Sequence, residues 1–140
     1  MEKAGILNIG EKQFMSIHFE IIKVTTRSTE SVDYNTIIFR VDFGRKVDLE
    51  NSSDLWIFFK TLADGGAKKF IVDMKNLEYI DSSGIGVIIN TAKLIRPKKG
   101  DIVLINVSQS IRDIFKVINL QEFIKTFNLE AEALHYFRYV

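Results

Sequence analysis

Cysteine is absent from the chain, which excludes disulfides, thiolate metal sites and cysteine nucleophiles and fits a reducing compartment. Proline occurs once, at Pro97, and long apolar runs are missing. None approaches the roughly eighteen residues that a membrane-spanning helix needs. Met1 to Gln13 has Glu2 and Gly10 where a signal peptide would need a continuous apolar core, so the expectation is a cytoplasmic protein with no export signal and no membrane partner. An excess of charge of one sign is lacking too. The formal net charge is +1 with basic and acidic residues interspersed, which argues against nucleic acid or anionic lipid as a partner. Histidine is scarce. His18 and His135 have no ligand spacing, so the sequence offers no metal site and no evident base to activate a nucleophile.

What the chain has in quantity is apolar residues, 46% of 140, enough for one globular domain with a real core. Met1 to Gln13 shows no clear period and is set aside as an N-terminal extension, which leaves residues 14–140 as the domain. Phe14 to Val24 alternates as a half-buried strand, and Ile37 to Phe43 does the same until Gly44 stops it. The connector between them is short enough for an antiparallel pair. Asn51-Ser52-Ser53-Asp54 then offers helix caps ahead of Leu55, Phe58, Phe59 and Leu62, spaced i, i+3, i+4, i+7, and Gly65-Gly66 ends that helix.

A strand over Lys69 to Met74, with Phe70-Ile71-Val72 at its centre, leads to a second helix beginning near Ser82. Ile85, Ile88, Ile89 and Ala92 repeat the stripe, and Pro97 closes this helix by forcing Arg96 out of helical geometry. Ile102 to Val107 reads as an internal strand, Ser108 caps a helix striped by Ile111, Ile114, Phe115 and Ile118, and Phe123 to Phe127 is a short strand before a last helix. The order ββαβαβαβα implies an α/β domain, a mixed sheet with packed helices. Ile85, Ile88, Phe58, Phe59, Ile114 and Phe115 are expected to be buried.

The junction at Asp81-Ser82-Ser83-Gly84-Ile85-Gly86 is where chemistry concentrates. Asp81 and Ser82 are both good N-cap types, able to accept from the orphaned N–H groups of the first helical turn. Gly84 and Gly86 each cost a helix about 1 kcal/mol relative to Ala, a cost that marks close backbone approach or a need for bare surface. A hydroxyl at such a helix start is exposed and reachable, and the loop from a strand to a helix is where function tends to sit in these folds. Other readings of the junction fail on spacing. Ile89 stands where a dinucleotide fingerprint needs its third glycine, and Ile80 where a hydrolase elbow needs its first.

Leu77 to Gly86, read as Leu-Glu-Tyr-Ile-Asp-Ser-Ser-Gly-Ile-Gly, resembles the phosphorylation motif of STAS-domain anti-sigma factor antagonists. Asp101 to Asn106 and Ser110 to Phe115 resemble the strand and helix that follow it, and the likeness runs from about Tyr34 to Tyr136. The resemblance implies a STAS-like fold and a non-enzymatic, phosphorylation-controlled binding protein. In it Ser82 is the phosphorylated residue, and the unphosphorylated form binds a serine-kinase anti-sigma factor with bound nucleotide, freeing a sigma factor. A protein phosphatase reverses the modification. Partner binding then falls to Asp81, Ser82, Ser83, Gly84, Ile85 and Gly86, with Asp48 as the family's acidic residue near the same surface, in a connector one residue longer than the usual spacing. The alternative reading is a scaffold or adaptor of STAS type in a signalling or transport complex, with Ser82 only structural. No cofactor is implied by either.

Overall fold

The computed structural model describes residues 5–14, 16–25 and 37–138. Strands β1 (Gly5–Phe14), β2 (Ile17–Thr25) and β3 (Ile37–Asp42) run as an antiparallel meander. A short strand β4 (Lys46–Val47) precedes helix α1 (Ser52–Asp64), then come β5 (Lys69–Asp73), short β6 (Tyr79–Ile80) and α2 (Ser82–Ile95). After Pro97 the chain continues through β7 (Asp101–Ile105), α3 (Gln109–Val117), two-residue β8 (Thr126–Phe127) and α4 (Glu130–Arg138). The main sheet has the order β1-β2-β3-β5-β7-β8, parallel from β3 onward. The mixed sheet expected from the strand and helix order is therefore present.

The periodicity misses the two-residue strands β4 and β6 and one long strand, β1, because residues 5–13 read as an aperiodic extension. Its pairing with β2 slips between Asn8 and Glu11, and Gly10 lies at φ 104 within the slip. Such an irregularity breaks the alternation by which a strand is recognised.

Residues that alternate along the central strands go to opposite faces, and both faces are covered. Phe39, Val41, Phe70, Val72, Ile102 and Leu104 meet α1, α2 and α3 on one side. Ile38, Ile71, Val103 and Ile105 meet Ala133 and Phe137 of α4 on the other. Both β5 and β7 are buried at every position, which explains why their sequences are nearly continuous in apolar residues. The polar exceptions stand at the strand ends, Lys69 and Asp73 in β5 and Asp101 in β7, and Asp73 accepts from Arg40 at 2.8 Å and Asn106 at 3.1 Å. Arg40 also reaches Glu130 at 3.0 Å, which ties α4 to the sheet.

Helix stripes are buried as expected at Phe58, Phe59, Ile88 and Phe115, with two corrections. Ile114 is 39% exposed, because short α3 buries only the narrow row of Ile111 and Phe115, and Ile118 is exposed where the helix ends. Ile85 is half-buried rather than buried. The core-facing row of α2 runs through Gly84, Ile88, Thr91, Ala92 and Ile95, which leaves Ile85 on its flank. Thr91 enters that row without an orphaned hydroxyl because it donates to the Val87 carbonyl at 2.7 Å.

Candidate functional site

The α2 helix start is held in place by a second, two-stranded sheet. β4 and β6 pair in parallel with Val47 opposite Ile80, and the Asp81 N–H continues the ladder to the Val47 carbonyl at 3.1 Å. Asp48 and Asp81 are thus the next residues in register, so the loop after β4 is brought beside the start of α2. Asn51 fixes that loop, accepting the Asp48 N–H at 2.9 Å and donating to the Lys46 carbonyl at 2.8 Å. Asp48 turns one carboxylate oxygen to the Glu50 N–H, and its other oxygen lies 3.6 Å from the Lys46 ammonium.

Of the two N-cap candidates it is Asp81 that caps the helix. Its Oδ1 accepts from Ser83 N at 2.9 Å and Gly84 N at 3.2 Å, while its backbone is extended as a cap requires. Ser82 becomes the first helical residue. The two serines that follow Asp81 differ in kind. Ser83 gives its hydroxyl proton to Asp81 Oδ1 and is half-buried, whereas the Ser82 side chain is exposed and makes no hydrogen bond among the described residues. The Asp81 carboxyl is held below its ordinary pKa, first by the Ser83 hydroxyl, with the backbone N–H groups of Gly84, Ser83 and Leu49 adding to it and partial desolvation opposing it. The Leu49 backbone of the neighbouring loop therefore faces the cap.

The glycines serve separate ends. A Cβ on Gly84 would meet Val47 Cγ1 at 2.7 Å and Ile80 Cγ1 at 2.8 Å, so this glycine lets α2 lie directly on the small sheet. A Cβ on Gly86 would meet nothing within 4 Å. Gly86 leaves bare surface beside Ile85. Around the helix start Leu49 is 80% exposed and Tyr79 is 55% exposed, two apolar side chains that helical or strand periodicity had no way to flag because they sit in a turn and a two-residue strand.

The seven residues singled out from the sequence, Asp48 and Asp81 through Gly86, thus gather around the α2 start, with Gly84 buried against β4 and β6 and the other six exposed or half-buried. His18 lies on β2 and His135 on α4, whose helix covers the opposite face of the sheet. Among the described residues no group of three potential metal ligands is present, and no helix is long and apolar enough to cross a membrane.

The sequence profile of the STAS domain matches residues 23–133. A Thermotoga maritima protein bearing the provisional name of anti-sigma factor antagonist is 28% identical over 93 residues, covering 65% of this chain and 81% of its own length. The unphosphorylated form of the anti-sigma factor antagonist SpoIIAA from Bacillus superposes with a TM-score of 0.61 at 20% identity, over 79% of this chain and 96% of that one. Its phosphorylated form gives 0.58, also at 20% identity, over 76% of this chain and 95% of that one. A sulfate transporter family protein from Wolinella succinogenes superposes at 0.63 with 16% identity, over 80% of this chain and 92% of that one. These structural likenesses are of fold.

Proposed function

The chain belongs to the STAS domain family, and from that premise we propose that it is a regulatory anti-sigma factor antagonist whose Ser82 is the phosphorylation switch. Unphosphorylated, it binds a serine-kinase anti-sigma factor carrying bound nucleotide and so frees a sigma factor; a protein phosphatase resets it. The observation that carries this reading is the contrast between the serines: Ser82 is exposed and unbonded at the helix start, while the Ser83 hydroxyl is spent on the cap. A kinase can reach Ser82 without disturbing the fold.

Phosphate at Ser82 adds a charge of about −1.5 to −2 beside the capping carboxylate of Asp81. The helix dipole favours an anion there, but Asp81 already occupies the N–H groups of Ser83 and Gly84, so the phosphate gains little from them. Its effect falls on the surface. A partner seated over Leu49, Tyr79 and Asp81 to Gly86 meets new bulk, a desolvation cost and repulsion of any acidic group. A penalty of about 4 kcal/mol weakens binding roughly a thousandfold, enough to release the partner.

The likeness in fold to a sulfate transporter family protein supports a second reading, an adaptor in which Ser82 is only structural. Titrating Ser82→Asp, Ser82→Ala and Ser83→Asp against the candidate kinase with ADP separates the two. The switch predicts weak binding for Ser82→Asp and wild-type binding for Ser82→Ala. Wild-type binding by Ser82→Asp and loss by Ser83→Asp would move the switch to Ser83, and indifference to all three favours the adaptor.

A further inference from the structure

Away from the Ser82 surface, the turn from α3 to β8 leaves a cavity of about 190 Å³ between that helix and the sheet edge. α3 ends at Val117, Asn119 takes a left-handed conformation at φ 56, and a single 3-10 turn over Leu120–Glu122 brings the chain back. That detour holds the cavity open. Its walls are apolar: Leu104, Val107, Phe115, Leu120 and Ile124, all buried. The volume exceeds the about 150 Å³ of an engineered apolar cavity that takes up benzene. One ring with a short substituent fits.

The cavity is also charged on one side only. Arg112 and Lys116 line it, and no acidic side chain does. Arg112 donates to the Val107 carbonyl at 3.2 Å and the Asn128 side-chain oxygen at 3.0 Å, both neutral acceptors. Lys116 is exposed, and its ammonium has neither hydrogen-bond nor ion-pair partner among the described residues. Both positive charges at the cavity are therefore uncompensated, and a neutral or cationic occupant would leave them so. Gln121 and Thr126 add polar groups to the lining.

We propose that this cavity is a binding site for a small apolar carboxylate about one aromatic ring in size, its body against Phe115 and Leu120 and its carboxylate on the Lys116 ammonium. Arg112 is committed to holding α3 to the following loop, so Lys116, whose ammonium has no partner, makes the contact. A ligand of about ten heavy atoms in such a site binds with a dissociation constant on the order of 1 mM.

The test is a titration of the 15N-labelled full chain with phenylacetate, its neutral amide phenylacetamide and the cationic 2-phenylethylamine. Phenylacetate is expected to give saturable shifts centred on the amides of Val107, Phe115, Leu120 and Ile124, with phenylacetamide weaker by about tenfold and 2-phenylethylamine silent. Lys116→Gln, a surface change with an unchanged melting temperature, is expected to bring acid and amide to parity. Absence of shifts with phenylacetate overturns the site. Equal affinity for acid and amide in the wild type overturns the carboxylate preference, and a preference that survives Lys116→Gln removes Lys116 from it.

Discussion

Ser83 donates its hydroxyl to Asp81 Oδ1 at 2.5 Å, and the same oxygen accepts the N–H groups of Ser83 and Gly84. This lowers the Asp81 pKa from 3.8, so the interaction stabilises the fold above the ordinary carboxyl pKa and is lost as pH falls through the lower folded-state value. Ser83→Ala is therefore expected to melt below the wild type at neutral pH, with the gap closing as acid protonates Asp81. Ser82→Ala, at a hydroxyl without a partner, should melt like the wild type across the same series. Thermal melts from neutral pH down to about pH 2 check both.

Alanine should sort the two motif glycines in opposite directions. Gly84→Ala forces a methyl against Val47 and Ile80, and overpacking of that kind costs about 1–3 kcal/mol. Gly86→Ala meets nothing and removes a helix-interior glycine, for a gain of up to about 1 kcal/mol. Urea denaturation of the pair measures this. If Gly86→Ala is stabilised yet binds the partner less tightly, its bareness belongs to the interface.

Phe59 is fully buried, with the rings of Phe58 and Phe70 at 5.4 Å and 5.1 Å and that of Phe43 at 6.3 Å. Emptying such a site should lower unfolding stability by about 3–5 kcal/mol. Chemical denaturation of Phe59→Ala checks it, and a loss below about 1 kcal/mol would mean the four rings do not form one packed cluster.

At alkaline pH the weak point is the far face. Tyr136 donates its hydroxyl to Asp101 Oδ2 at 2.6 Å, and desolvation, then that carboxylate, push the phenol up to about 12. A raised pKa means that the neutral form stabilises the fold below the ordinary value of 10.0, and that this is lost as pH rises toward about 12. Tyr136→Phe should start less stable and lose less over that interval. Equal slopes for the two proteins in alkaline melts would contradict the assignment.

The order of the longer elements from β2 to α4 was legible because each buries a regular row, and rows are what sequence displays. Ile38 and Phe39 or Ile71 and Val72 could be assigned to a strand without knowing which face each meets. β1 was not legible, since Gly10 and the register slip erase its alternation. Ile114 was misplaced because four apolar residues at helical spacing do not say how wide the contact is, and α3 packs on a narrow one. At the site, the residue types of the Asp81 to Gly86 run announced a helix start, but which oxygen caps and which hydroxyl stays free depends on backbone geometry. The β4–β6 pair is two residues long on each side, too short for any period, yet it is what brings Asp48 and Leu49 to the α2 start.

The central claim is that Ser82 carries the switch, and the most direct measurement is the position of a phosphate. The protein, with Ser82→Ala and Ser83→Ala beside it, is incubated with ATP and an extract of its own cells, digested, and each phosphopeptide placed by mass. The account predicts one phosphate on Ser82, kept in Ser83→Ala and absent from Ser82→Ala. Phosphate on Ser83, or incorporation that survives Ser82→Ala, would contradict it.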